Sequence, residues 1–250
     1  MRKLFAGVLL GSALGMLATA IARADDAPEA SHKLFVGGNQ VIAIGATLTP
    51  RVQSEFRPGS GSGITSIEAW QTGETTLLGR FHVLSFTDYR SYQYDHFVTD
   101  PVTVIGGAGQ ARVSSFRIHG DELESGGGIR LAPRVFAGIA LLKRQETNGY
   151  PPLKGVGYAL MLAPAPSKII SPYGWFTYQP NMSGIYALPD GTHTALSYRG
   201  TRYRFGVLLA EPGTRLALDI GYTGENLFNR SNAPARVNVS SLTAGLATHF

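Results

Sequence analysis

Apolar side chains occupy every second position over long stretches of this 250-residue chain. Such a period of two places alternate side chains on opposite faces of a β-strand. Between Arg215 and Thr223 one face is apolar and the other is small or polar. After a polar loop the same alternation returns and runs to residue 250, on Leu242, Ala244, Leu246, Thr248 and Phe250.

The alternation predicts about ten strands. They cover residues 40–49, 64–71, 77–89, 111–131, 134–143, 155–162, 169–179, 194–209, 215–223 and 242–250. Turn residues predict a short connection at 72–75 and a break in the fourth strand near 126–128. Eight strands follow if the first two, at 40–49 and 64–71, form a plug or leader. The length of the mature chain also allows twelve.

Short and long connections alternate along the chain. Short turns are predicted near residues 73, 132, 164 and 212, and longer polar loops near 57, 100, 148, 187 and 231. In outer-membrane barrels the short turns lie on the periplasmic side and the longer loops on the outside. The order therefore predicts an antiparallel barrel with both chain ends in the periplasm.

The closing strand and its terminal aromatic residue resemble those of bacterial outer-membrane β-barrel proteins. The resemblance implies an all-β fold, an antiparallel transmembrane up-and-down barrel inserted in the cell outer membrane. It also implies that an assembly signal for the barrel assembly machinery is carried by Leu242, Ala244, Leu246 and Phe250.

The N-terminus has the features of an export signal. Arg2 and Lys3 precede an apolar run that ends at Ala22-Arg23-Ala24. Small residues at the first and third positions of this triplet suit a signal peptidase. We therefore expect a signal peptide over 1–24, a periplasmic leader over 25–39 and the barrel domain over 40–250.

Composition excludes several classes of site. The chain has no cysteine, so it contains no disulfide, thiolate metal site or lipidated cysteine. Its formal net charge of +5 includes three basic residues of the predicted signal peptide. The mature chain is close to neutral, which gives no indication of nucleic-acid binding.

Charged residues on the predicted inner face are the candidate lumen or binding residues. They are Arg80, His82, Arg117, His119, Glu122, Glu124, Arg130, Arg134, Arg202, Arg204, Arg215 and Asp219. Two interpretations stay open at this point. Paired charges close a narrow lumen, or a wet constriction selects solutes by charge. Since arginine outnumbers carboxylate in this set, an open pore is expected to favour anions.

No catalytic, metal or cofactor site is predicted. His82, His119 and Asp121 carry suitable metal ligands, but nothing in the sequence fixes their separation. A glycine-rich stretch at 106–109 follows a strand, yet no helix follows it, as a dinucleotide-binding loop requires.

The expected function is a structural or surface-interaction barrel whose lumen is largely closed by paired charges. A narrow pore for small anionic solutes is the main alternative, followed by a lipid-modifying barrel enzyme and a soluble periplasmic ligand-binding barrel. The expected partners are outer-membrane lipids, the assembly machinery and a surface ligand held by loops 91–110 and 180–193.

Overall fold

The computed structural model describes the chain in nine segments. These are residues 35–48, 51–54, 62–100, 112–146, 152–165, 168–187, 193–211, 213–230 and 236–250. The predicted signal peptide (1–24) and most of the predicted leader lie outside the described residues. Within the described part, no helix is long and apolar enough to cross a membrane.

The regular elements of the described residues are all strands. Their bounds are β1 Phe35–Thr47, β2 Arg51–Ser54, β3 Ser62–Leu77, β4 Phe81–Asp100, β5 Arg112–Ala132, β6 Val135–Glu146, β7 Leu153–Leu162, β8 Ile170–Ala187, β9 His193–Ala210, β10 Leu216–Asn229 and β11 Arg236–His249.

The strands close into a ring. Each strand from β3 to β11 pairs antiparallel with its neighbour in the chain, and β1 pairs with both β3 and β11. The short strand β2 continues the line of β1 along β11, because Thr47 is opposite Thr243 and Arg51 is opposite Ser240. Because β1 and β2 together occupy one position, the barrel has ten strand positions. The predicted up-and-down antiparallel barrel is confirmed.

The turn between β3 and β4 lies later than predicted. Leu78 and Gly79 have φ angles of 52° and 67°, and the Arg80 amide donates a 3.1 Å hydrogen bond to the Leu77 carbonyl. Two successive positive φ angles define the tight hairpin turn that matches strand twist. The predicted turn at 72–75 is wrong, because these residues lie inside β3 and pair with residues 83–86 of β4.

Several strands are longer than predicted. β1 begins at Phe35, inside the predicted leader, and β5 runs unbroken through 126–128. A Cβ on Gly126 would lie 2.4 Å from the Ile139 carbonyl oxygen and 2.5 Å from the ring atom Cε1 of Phe86, so the glycine permits close approach of both neighbouring strands rather than ending the strand. Residues 91–100 and 180–187 belong to β4 and β8, not to loops.

The outer wall of the barrel carries an apolar belt. Exposed apolar residues fill most of its lipid-facing positions from β6 round to β1, for example Ile139, Leu160, Phe205, Ile220 and Leu246. On these strands the belt covers four or five outward positions before polar residues begin. At about 3.3 Å per residue on tilted strands, this height approaches the ~25 Å apolar band of outer-membrane barrels.

The interior is filled in three layers. Nearest the short turns lies the aromatic layer, built around Trp70, Phe86, Phe136, Tyr173 and Trp175. Above it lies the ionic layer of charged side chains described below. Toward the long loops, an upper apolar layer packs over β6 to β10 and consists of Leu142, Leu153, Met182, Tyr198 and Leu227.

Candidate functional site in the charged barrel interior

The ionic layer gathers ten buried charged side chains from six strands. Each is at most 5% exposed. The members are Glu68 of β3, Asp88 and Arg90 of β4, Glu122 and Glu124 of β5, Arg144 of β6, Arg202 and Arg204 of β9, and Asp219 and Glu225 of β10. They point inward because, along this part of each of the six strands, inner and outer residues alternate.

Glu68 joins neighbouring and distant strands. It accepts a 2.9 Å hydrogen bond from Nε of Arg90, on the adjacent strand β4. It also pairs with Arg204 of β9, which lies across the interior. One carboxylate therefore ties two opposite parts of the wall together.

Glu122 lies at the centre of three arginines. Its oxygens are 3.4 Å from both Arg144 and Arg202 and 3.7 Å from Arg90. Arg90 and Arg144 lie on β4 and β6, the two neighbours of β5, whereas Arg202 lies on β9 across the interior. Removing a charge from such a network leaves its partners buried without compensation.

Glu124 and Arg202 are held by several partners each. Thr177 donates to Glu124 over 2.6 Å and the Gln179 amide donates over 3.2 Å. Arg202 lies 3.6 Å from Glu124 and 3.8 Å from Asp88. Side chains thus link β5 across the interior to β8 and β9, which also pair with each other through their backbones.

Asp219 connects the ionic layer to the aromatic layer. Its two oxygens accept hydrogen bonds from the Trp70 indole at 2.8 Å and from the Tyr173 hydroxyl at 2.6 Å. The Arg204 guanidinium carbon lies 5.6 Å from the centroid of the Trp175 ring. At this distance a cation and a ring face attract each other, so the two layers stabilise one another.

Carboxylates outnumber arginines in the ionic layer as described. There are six carboxylates and four arginines among its ten members. Atom Oε2 of Glu124 and atom Oε1 of Glu225 accept no hydrogen bond from the described residues. The arginine excess predicted from the sequence is not found, and with it the basis for a preference for anions is lost.

Five of the twelve predicted interior residues belong to this layer. They are Glu122, Glu124, Arg202, Arg204 and Asp219.

Two other predicted residues, His82 and Arg130, lie toward the short turns and share the partner Glu74. His82 is 3.4 Å from its carboxylate, and Arg130 pairs with the same oxygen.

Three predicted residues lie at the short-turn rim. Arg80 and Arg215 are exposed in turns, and Arg80 stacks over the Phe81 ring with 4.7 Å to its centroid. Arg134 follows a turn proline and itself has a positive φ of 66°. Its Nε donates a 2.8 Å hydrogen bond to the Ala163 carbonyl. None of these three side chains takes part in the ionic layer.

The predicted inward orientation of His119 is wrong. In β5 the even-numbered residues point inward, and His119 is exposed on the outer wall. The side chain of Arg117 lies outside the described side chains. Because His82 is inside and His119 is outside, the two imidazoles do not meet. Among the described residues, no three metal-ligating side chains of His, Asp or Glu come together.

Five members of the ionic layer were missed by the sequence analysis. These are Glu68, Asp88, Arg90, Arg144 and Glu225. A usable signal was present, since Glu68 lies two positions from Trp70 and Asp88 lies two positions from Phe86. Charge and aromatic residue share a face in both cases, which is unusual for an apolar core but suits a polar lumen.

Comparison with known proteins gives matches only among solved structures. No family model matches the chain, and no curated protein matches it either. The attachment invasion locus protein Ail of Yersinia pestis, in complex with the heparin analogue sucrose octasulfate, is 12% identical. It covers 86% of this chain and 100% of its own, with a TM-score of 0.35.

Two further structures show a similar degree of likeness. Neisserial surface protein A is 14% identical, with coverages of 86% and 99% and a TM-score of 0.33. The Pseudomonas putida toluene transporter TodX is 11% identical, with coverages of 89% and 90% and a TM-score of 0.34.

The chain's own geometry decides its class. The chain combines an antiparallel ring with an apolar outer belt and a charged interior. Phe35 and Phe250 both lie on the turn side of the ring. This combination is the architecture of an outer-membrane β-barrel.

Proposed function

We propose that this chain is an integral outer-membrane barrel with a sealed interior, which acts as a structural and surface-interaction protein rather than as an open pore. The supporting observation is the order of the three interior layers. The ionic layer is almost fully buried, and apolar layers cover it on both sides. Ions would have to displace packed rings and paired charges to pass.

The outer wall supports the location of the barrel. A soluble barrel would expose polar side chains, whereas Leu246 is 65% and Ile220 is 45% exposed on this wall. Exposed apolar surface on this scale needs a hydrocarbon environment. Export through the predicted signal peptide and insertion by the assembly machinery are parts of this proposal.

The closing strand supports the proposed assembly signal. Leu242, Leu246 and Phe250 are exposed on the outer wall, and Ala244 shares their face. Phe250 also exchanges two backbone hydrogen bonds with Gln40, at 3.0 and 3.3 Å. In the closed barrel Phe250 is part of the seam, and we propose that the assembly machinery recognises it before closure.

Strand length supports a role at the cell surface. β4 has 20 residues and β5 has 21, whereas a tilted strand needs about 9 to 11 to cross the hydrocarbon core. Their excess length lies on the long-loop side. We assign the proposed surface ligand to this projecting hairpin and to the connection after β8, within 91–110 and 180–193.

Conductance in planar bilayers tests the sealed interior. Refolded protein whose barrel is verified by heat-modifiable gel migration is expected to give no discrete conductance steps, while an open porin in the same bilayer gives them. Stable steps from the wild-type protein would contradict the proposal. Recovery of the protein from the soluble periplasm without detergent would contradict the membrane location.

The alternative function is a narrow pore, and the interior charge predicts which ions such a pore would prefer. Six carboxylates face four arginines in the described layer. A ring of excess negative charge favours cations. If steps do appear, the reversal potential under a salt gradient is expected to show cation preference, the opposite of the preference predicted from the sequence.

A further inference from the structure

Two lysines face each other directly on the outer wall. Lys143 of β6 is the cross-strand partner of Lys154 of β7. Both are exposed, and no described carboxylate lies within ion-pair distance of either. Opposite positions on antiparallel strands bring Cβ atoms to about 5 Å, where like charges repel. This arrangement suits an anion that lies between the two ammonium groups.

The pair is located at the upper edge of the apolar belt. Leu141 precedes Lys143 on the outer face of β6, and Val156 follows Lys154 on the outer face of β7; both are more than half exposed. In the proposed orientation the lysines therefore lie at headgroup depth on the long-loop side. Their aliphatic stems lie along the belt while the ammonium groups reach the polar zone.

A groove opens in the wall beside the lysine pair. It has a volume of about 720 Å³ and is lined by Lys143, Lys154, apolar neighbours including Leu141 and Val156, and the polar residues Ser125, Asn181 and Ser183. The register of β7 against β8 shifts between Val156 and Tyr158, beside this groove. A groove that combines two ammonium groups with apolar walls matches a lipid with an anionic head and an acyl chain.

The remaining charges of this arc have the same sign. On the outer face of β9 and just after β10, Arg199 and Arg230 are exposed at the same polar rim. Among the described outward residues from β6 to β10, the rim has four basic side chains and no acidic one. The outward carboxylate of Asp121, on the neighbouring strand β5, accepts a 2.8 Å hydrogen bond from the Tyr89 hydroxyl and forms no ion pair with Lys143 or Lys154. A cluster of positive charge at this rim complements an anionic lipid surface.

We infer that the groove at Lys143 and Lys154 is a binding site for a phosphate-bearing lipid of the leaflet on the long-loop side, an inference that rests on the proposed membrane location. The phosphate lies between the two ammonium groups, and one acyl chain lies against Leu141 and Val156. No covalent step is involved.

The test compares two double variants of the full chain, refolded in zwitterionic phosphatidylcholine vesicles with increasing phosphatidic acid. One variant is Lys143→Gln with Lys154→Gln. The matched control is Lys168→Gln with Arg215→Gln, which removes two exposed positive charges at the opposite end of the barrel. Lipid retained by the detergent-extracted protein is measured by native mass spectrometry.

Wild-type and control proteins are expected to retain phosphatidic acid about tenfold more strongly than the lysine variant does, as two interfacial basic residues contribute. Inorganic phosphate at equal concentration is expected not to displace the lipid, because the acyl chain of the lipid also contributes to binding. Equal retention by the lysine variant, or equal retention of phosphatidylcholine, would overturn the inference. Failure of all variants to float with vesicles would instead contradict the membrane location.

Discussion

Arg144 and Glu225 form a hydrogen bond of 2.8 Å across the barrel interior, although their strands β6 and β10 are not neighbours in the ring. Glu122 lies 3.4 Å from the same arginine nitrogen. One guanidinium thus compensates two buried carboxylates from two other strands. The walls of the barrel are held at a fixed separation by charge as well as by packing.

Replacing Arg144 by Met is expected to lower the free energy of unfolding by about 3–5 kcal/mol, the usual cost of leaving a buried partner unpaired. Adding Glu225→Gln is expected to recover part of this loss, because one of the two stranded charges is then removed. Urea unfolding in detergent micelles measures both values. Lys143→Met is the control, because Lys143 is adjacent in the chain but lies on the outer wall. A loss in the control as large as that of Arg144→Met would show that the cost is not specific to the interior.

Trp70→Phe is expected to destabilise the barrel by about 1–3 kcal/mol, since Asp219 then loses a buried donor. The phenylalanine ring keeps most of the stack against Tyr173, whose centroid lies 4.5 Å away. The temperature at which the barrel loses its heat-modifiable gel migration measures the effect. The double variant Trp70→Phe with Asp219→Asn serves as the comparison and is expected to be less affected than the sum of its parts. Full additivity would mean that the indole and the carboxylate do not interact.

Both tryptophans of the chain lie inside the barrel. Trp70 and Trp175 are at most 3% exposed, and their ring centroids are 5.7 Å apart. Brominated acyl chains quench a tryptophan only when they come close to it. The wild-type fluorescence is therefore expected to be little affected by brominated phosphatidylcholine. The variant Phe205→Trp, at an outward position that is 52% exposed, is expected to add a strongly quenched component. Strong quenching of the wild-type protein would mean that the inner and outer faces are reversed.

An arginine placed at the middle of the belt tests the same orientation energetically. Ile220→Arg is expected to cost about 2–4 kcal/mol in phospholipid vesicles, while Leu216→Arg, near the short-turn edge, is expected to cost about 1 kcal/mol or less. Both positions are outward on β10, so only depth in the membrane differs. Denaturant titration in vesicles measures the two values. Equal costs would contradict a membrane of the proposed depth around β10.

The sequence was sufficient for the outer wall and insufficient for the interior. Outward positions such as Leu218 and Leu246 form an unbroken period of two, because hydrocarbon accepts only apolar side chains. Inward positions mix Trp70 with Glu68 and Phe86 with Asp88, so their period is weak, and Glu68 and Asp88 were not predicted to face the interior. Pairings such as Glu68 with Arg204 join residues 136 apart, and no local pattern encodes that closure.

Errors of one residue had large effects on the predicted site. His119 was predicted to face inward together with Glu122 and Glu124, although residue 119 and residues 122 and 124 lie on opposite faces of one continuous strand. The unbroken ladder of β5, with Gly126 opposite Phe86, keeps one alternation throughout and turns His119 outward. Gly126 is explained by close contacts with both neighbouring strands, the Phe86 ring of β4 and the Ile139 carbonyl of β6, which are not visible in β5 alone.

Deletion of Phe250 tests the role of the closing residue in assembly. The deletion removes two backbone hydrogen bonds to Gln40 and one exposed ring from the turn-side edge of the belt, whereas the pairing of Val41 with His249 and the rest of the seam remain. We therefore expect refolding into detergent to succeed with a modest loss of stability, about 1–2 kcal/mol for two peripheral hydrogen bonds.

In cells, recognition by the assembly machinery is expected to fail, so that the protein accumulates in the periplasm and is degraded. Phe250→Tyr keeps an aromatic ring and is the control that should still assemble. Outer-membrane yield, measured by fractionation and heat-modifiable migration, separates the two effects: if the deletion assembles in cells as well as the wild type, the terminal aromatic is part of the seam only and not of a recognition signal.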